Sequence, residues 1–213
     1  MKRKLVGYYD YTVVLTYCGM LFAFMGILHS IGHEYWRALF CLMIAGVCDM
    51  FDGTVASTKD RDKNQKRFGI QIDSLSDLIS FGVFPAIFVY MLLGGVSFAG
   101  IACAIYVLCA LIRLAYYNVL EEERQAEATH KESSFIGVPV TTIAIILPAV
   151  YLLFDKNIIH NDKFFVVTLL LVAAGFIAPI EIKKPKAIGK VILIVLGVIE
   201  AAFMVFLVAW GAS

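Results

Sequence analysis

Four aspartates, Asp49, Asp52, Asp73 and Asp77, lie in stretches otherwise built from apolar residues. The first pair falls inside the run CLMIAGVCDMFDGTVAS, and the second heads the run DSLSDLISFGVFPAIFVYMLL. On a helix turning about 100° per residue, Asp52, Gly53 and Ala56 all lie within about 60° of Asp49. Two carboxylates thus share a face with two small residues, over which a second helix or a ligand can approach the backbone. Asp73, Asp77, Ser76, Ser80 and Gly69 share a face about 100° wide in the second run, opposite Ile70, Ile72, Leu75, Ile79 and Val83. A carboxylate at mid-membrane costs about 2.5–3.5 kcal/mol, and several together repel one another. Neither run carries a Lys or Arg at that depth. Carboxylates at i, i+3 and i, i+4 are hard oxygen donors suited to Mg²⁺, Mn²⁺ or Ca²⁺, ions that keep positions open for phosphate oxygens and water. A divalent metal relieves the repulsion, and the ligand it implies is a phosphate-bearing headgroup. Asp60 and Asp62 have a simpler reading. They alternate with Lys59, Arg61 and Lys63 on a solvated loop.

The elements that must carry these acids are membrane helices. The chain has 213 residues, 61% hydrophobic and 16% charged, with mean hydropathy +0.83. A soluble domain carries about 25% charged residues. Apolar runs at about 11–31, 36–57, 70–94, 97–118, 135–154, 164–182 and 190–211 each approach the roughly 20 residues a helix needs to cross the hydrocarbon core. The expectation is a single all-α domain over residues 1–213, a polytopic helix bundle with seven spans counted and six to eight allowed. Pro139, Pro148 and Pro179 fall inside these runs, where they predict kinks. EEERQAEATHKESS (121–134) reads as a solvated loop. The start MKRK leads into a run too long for a signal peptide and lacking a small-x-small cleavage site, so an uncleaved first helix is expected.

Basic residues then set the orientation. With the N-terminus in the cytoplasm, Lys2, Arg3 and Lys4, the cluster from Lys59 to Arg67, Arg124, Lys131 and the cluster from Lys183 to Lys190 are all cytoplasmic. The opposite side keeps Arg37, Lys156 and Lys163. This places the four aspartates at the cytoplasmic ends of the second and third spans, within reach of one pocket. A net charge of +1 gives no reason to expect nucleic acid as a partner. Cys18, Cys41, Cys48, Cys103 and Cys109 lie in apolar runs without metal-ligand spacing and read as small hydrophobes. His29, His33, His130 and His160 show no ligand spacing, and Trp36 and Trp210 near span ends fit interfacial anchoring.

At the acidic stretch the sequence resembles the CDP-alcohol phosphatidyltransferases. Their signature D-x2-D-G-x2-A-R-x8-G-x3-D-x3-D is met at Asp49, Asp52, Gly53, Ala56, Gly69, Asp73 and Asp77, seven of its eight fixed positions. Ser57 stands where the family has arginine, and the segment from Thr58 to Phe68 is three residues longer than the usual spacer. The resemblance implies an enzyme of phospholipid biosynthesis, a transferase moving a phosphatidyl group from CDP-diacylglycerol to an alcohol and releasing CMP. It implies a two-metal site of Mg²⁺ or Mn²⁺, with Ca²⁺ allowed, held by Asp49, Asp52, Asp73 and Asp77. Asp77 would also be the general base. Nucleotide contacts would come from Asp49, Gly53, Ala56, Ser57, Arg61 and Gly69, with Arg61 or Lys59 standing in for the missing arginine. A homodimer is implied as well.

The segments LIRLAYYNV (111–119), FIGVPVT (135–141) and DSLSDLISFGVFPA are similar to the phosphatidylserine synthases of this family. L-serine is therefore the expected acceptor. Arg113 and Asn118 are the expected acceptor-binding residues, because an arginine fork matches a carboxylate. Snorkelling to the headgroups is the bland reading of Arg113. Three rivals stay open. One is a sibling enzyme using glycerol 3-phosphate or an inositol compound, and another is an intramembrane prenyltransferase. The third is an ion-coupled transporter with buried acids, although transporters commonly carry internal repeats and none is found here.

Overall fold

The computed structural model describes residues 6–127 and 135–182, with residues 197 and 202. A single 3-10 turn, Tyr11–Val13, opens into α1 (Val14–Ile31), and α2 (Tyr35–Ala56) returns antiparallel to it. Then α3 (Lys63–Asp77), a π-helical turn (Leu78–Val83) and α4 (Phe84–Leu92) run on as one 30-residue apolar helix. It is followed by α5 (Ser97–Glu127), α6 (Ile143–Asp155) and α7 (Phe164–Ile177). Two-residue strands, β1 (Phe135–Ile136) and β2 (Glu181–Ile182), pair antiparallel and close the loops at one end of α6 and α7. The protein is an all-helical integral membrane bundle. Among the described residues four helices are long and apolar enough to cross a membrane.

Local chemistry sets the helix ends. Asp62 caps α3 through a capping box, accepting from the Gln65 amide at 2.8 Å while the Gln65 side chain accepts from the Asp62 amide at 3.1 Å. The tight turn between α4 and α5 uses Gly94 and Gly95 at φ +68° and +75°, a region that side chains disfavour. Small residues let the helices approach closely. A Cβ on Gly26 would lie 2.2 Å from the Phe84 ring, and one on Gly19 would lie 3.1 Å from the Cys48 Cβ. The core between the helices holds Leu39, Leu42, Phe81, Phe84, Phe88, Tyr106, Ile143, Leu147, Phe165 and Leu169, all essentially inaccessible. The outer faces are equally apolar. Leu21, Ile101, Leu108 and Leu171 are exposed, the arrangement of a bundle solvated by lipid rather than water.

The π-helical turn has an identifiable cause. Pro85 has no N–H to offer the carbonyl of Phe81 one helical turn earlier. The fully buried Tyr106 hydroxyl donates to that carbonyl at 2.6 Å instead. The turn follows directly on Asp77, so it fixes how the acidic half of the long helix meets its apolar half.

Several sequence expectations need correcting. The third span begins at Lys63 rather than residue 70, because the capping box starts the helix in the polar loop. The fourth does not stop at 118: α5 continues as a polar helix to Glu127, carried by helix-favouring residues with Arg124 bonding Glu121 at 2.7 Å. The first part of 121–134 is therefore helical, not loop. The fifth apolar run becomes helical at Val140, since the extended Pro139 precedes its first turn. The sixth run is helical to Ile177, before Pro179. Of the three prolines read as lying within spans, Pro148 alone is inside a helix. The seventh run, 190–211, lies outside the described residues apart from residues 197 and 202.

Candidate active site

The facing acidic stripes of α2 and α3 meet at one end of the bundle, beneath the loop that joins them. A carboxylate oxygen from each of Asp49, Asp52 and Asp73 falls within a set whose members are all within 4.8 Å of one another. Asp52 is buried and Asp49 and Asp73 are half-buried. Asp77, one turn beyond Asp73, lines the same small recess with Asp49, Asp52, Thr16, Gly19, Ser76 and Ser80. The four predicted acids thus converge, with Asp77 on the inner side.

The donor set fits a hard divalent metal. One oxygen of Asp73, Oδ1, is buried without a hydrogen-bond partner, a costly state for a carboxylate that a cation would relieve. Every donor is an oxygen, as Mg²⁺, Mn²⁺ and Ca²⁺ require. Asp49, Asp52, Asp73 and Asp77 are the residues that would hold it.

Sequence reasoning missed a residue that bonds one member of the set. Thr16, on α1, donates its hydroxyl to Asp52 Oδ2 at 3.0 Å, and the buried Ser76 hydroxyl donates to the Thr16 carbonyl at 3.4 Å. A hydroxyl with a glycine three residues on, inside an apolar helix, was the available signal. Thr16 and Gly19 lie on the α1 face toward α2, both buried.

The small positions behave differently from one another. Around Gly53 nothing lies within 4 Å of where a Cβ would be, so that side of α2 is open. Gly69 is the reverse: a Cβ there would stand 2.7 Å from Arg61 Nη1. The guanidinium of Arg61, from the lengthened loop, therefore lies on α3 one turn above Asp73, and its Nε is buried without a partner. Ser57, at the position of the family's arginine, is exposed and turns its hydroxyl back onto the Thr54 carbonyl at 2.7 Å. Ala56 is half-buried on the last turn of α2.

The two expected acceptor residues lie on α5. Arg113 is buried; its Nε donates to the Val138 carbonyl at 2.6 Å, and its guanidinium stacks 4.5 Å from the Tyr117 ring centre. This is not a snorkelling geometry, because the side chain is held inside the bundle. Gly137 makes the contact with Val138 feasible: at φ +75° it packs among carbonyls of Gly175, Phe176 and Ala178, the nearest 2.7 Å from where a Cβ would stand. Asn118 Oδ1 accepts from the Ser74 hydroxyl at 2.6 Å, which ties α5 to the residue after Asp73.

Comparison with known proteins gives the family. The family model described as CDP-alcohol phosphatidyltransferase matches residues 11–211. A relative from Saccharomyces cerevisiae named CDP-diacylglycerol--serine O-phosphatidyltransferase is 35% identical over 134 residues, 62% of this chain and 48% of that protein. The match thus spans about half the length of the yeast relative. A protein of the same name from Helicobacter pylori is 26% identical over 205 residues, 92% of this chain and 82% of its own. An archaetidylserine synthase from Methanothermobacter thermautotrophicus is 30% identical over 151 residues, 70% of this chain and 61% of that protein.

Proposed function

The chain belongs to the CDP-alcohol phosphatidyltransferase family, and from that premise we propose that it transfers a phosphatidyl group from CDP-diacylglycerol to the hydroxyl of L-serine, releasing CMP and forming phosphatidylserine. The observation that carries the reading is the convergence of the carboxylates of Asp49, Asp52 and Asp73, with Asp77 beside them, in a family member whose relatives are named for serine transfer.

Asp49, Asp52, Asp73 and Asp77 would hold the metal, Mg²⁺ or Mn²⁺, with two ions expected from the family resemblance. When bound it supplies charge stabilisation for the diphosphate and the departing CMP. The open face at Gly53 and Ala56 admits the nucleotide, and Arg61 over Gly69 meets its phosphates. Asp77 takes the proton of the serine hydroxyl as that oxygen bonds to the phosphatidyl phosphorus. The bond from this phosphorus to the CMP oxygen breaks, and its electron pair leaves with CMP. Thr16 keeps the Asp52 carboxylate aimed. Arg113, aligned by Val138 and Tyr117, faces the serine carboxylate, which an all-acid pocket would repel. Asn118, tied to Ser74, lines the acceptor side.

The distribution of basic residues supports a cytoplasmic N-terminus and a site opening to the cytoplasm, at the cell membrane. The family resemblance supports a homodimer, which the mass of the detergent-solubilised particle checks. The deciding experiment is CMP release by purified protein from CDP-diacylglycerol with Mg²⁺ or Mn²⁺, comparing serine, glycerol 3-phosphate and inositol. Serine alone should sustain turnover. Preference for another acceptor would keep the transferase and discard serine.

A further inference from the structure

The segment before α1 is clamped onto the lengthened loop between α2 and α3. Lys59 Nζ lies 3.1 Å from Asp10 Oδ2 and stands over the Tyr11 ring, 5.7 Å from its centre. The Tyr11 hydroxyl meets Thr58 Oγ1 at 3.1 Å, and the Tyr8 and Phe68 rings pack at 5.3 Å between centres. These contacts grip the loop on both sides of Arg61, at Thr58 and Lys59 before it and at Phe68 in α3 after it. Asp10 is itself anchored, because it caps the turn leading into α1 and accepts from the Thr12 amide at 2.9 Å and from the Thr12 hydroxyl. These bonds, the Thr12 hydroxyl's first and the Lys59 ammonium's after the Thr12 amide's, hold the Asp10 carboxyl below its usual range against the effect of its burial. It is charged at neutral pH.

The clamp separates the two cations that could replace the family's arginine. Lys59 is committed to Asp10. Arg61 has no ion-pair partner among the described residues, and its buried Nε lacks any hydrogen bond while its guanidinium rests on Gly69 above Asp73. A guanidinium so placed needs an anion to complete it. We propose that Asp10 and Lys59 form a positioning pair that holds the lengthened loop so that Arg61 binds the phosphate of the cytidine nucleotide in place of the arginine replaced by Ser57. The inference rests on the phosphatidyltransfer reading for the identity of the nucleotide.

The test is CMP affinity of the full-length protein in detergent with Mg²⁺, measured by calorimetry, which needs no acceptor and no turnover. Asp10→Asn keeps a side-chain oxygen for the cap and removes the charge that holds Lys59. The pair is half-buried, and an ion pair near the surface is worth about 0.5–1 kcal/mol, so CMP affinity should fall by about two- to fivefold. Lys59→Met should do the same, and Lys59→Arg should retain wild-type affinity. Arg61→Gln should weaken CMP further, and adding Asp10→Asn to it should produce no additional loss. In the transfer assay Asp10→Asn should raise KM for CDP-diacylglycerol and leave KM for serine unmoved. Unchanged CMP affinity in Asp10→Asn, or a full additional loss on the Arg61→Gln background, would overturn the pairing. Tight CMP binding with no transfer to serine would instead discard the serine reading and leave the clamp standing.

Discussion

At the residue scale, the carboxylates differ in what each can lose. An amide in place of Asp49, Asp52 or Asp73 removes an anionic oxygen from the cluster, so each Asn variant should lose metal-dependent turnover. Asp60→Asn and Asp62→Asn should be nearly neutral in CMP release, Asp62 because asparagine caps a helix about as well as aspartate. Equal damage from both groups would mean that only total charge matters. Asp77→Asn should keep donor binding and lose most turnover, since its proposed further task is to accept a proton. Thr16→Val removes a donor to Asp52 without touching a carboxylate. Partners that orient metal ligands are worth about 10–100-fold, so apparent metal affinity should fall by roughly tenfold, and excess metal should restore the rate. Arg113→Lys cannot reproduce a fork already held by Val138 and Tyr117. Losing a charge-assisted bond costs about 1.5–3 kcal/mol, which predicts a rise in KM for serine of roughly ten- to a hundredfold.

At the scale of elements, two helices are shaped by single positions. In α3, Gly69→Ala should stabilise the helix by about 0.5–1 kcal/mol while its methyl displaces the Arg61 guanidinium. Thermal stability and CMP affinity should then move in opposite directions, and calorimetry of the one variant reads both. In α5, Tyr106→Phe leaves the Phe81 carbonyl at the π-helical turn without the donor that Pro85 cannot supply. Losing a buried hydrogen bond costs about 0.5–1.5 kcal/mol, so a lowered melting temperature in detergent is expected. The loop at Gly137 belongs to the same scale. Any side chain there meets three carbonyls, and through Val138 the disturbance reaches Arg113 rather than the acids.

At the scale of the whole molecule, orientation is the testable property. Residue 60 in the α2–α3 loop and residue 96 in the α4–α5 turn lie at opposite ends of the long α3–α4 helix. Single cysteines at these sites, probed with an impermeant maleimide on intact cells, should label at 96 and not at 60. The reverse pattern would put the site on the outer face. Chelation of divalent cations should abolish CMP release while the bundle stays folded. Its core is apolar and its helices meet through small residues, so an ion bound at the acidic recess would not be needed to hold the bundle together.

Sequence alone determined what depends on spacing along one helix. Apolar run length marks a span, and carboxylates three and four residues apart share a face whatever the neighbours are. This is why the helical class, the first four spans and the acidic stripes of α2 and α3 were legible before any coordinates. The ends of the spans were less so, because capping by Asp62 and the continuation of α5 to Glu127 are decided by polar residues that hydropathy ignores. Contacts between residues remote in sequence were decided by the tertiary structure alone. Thr16 reaches Asp52 across 36 positions and Asp10 reaches Lys59 across 49. The sequence offers two cations in the lengthened loop, Arg61 among the expected nucleotide contacts and Lys59 as its alternative. They separate only when the chain entering α1 packs against that loop, occupying Lys59 and leaving Arg61 over Gly69.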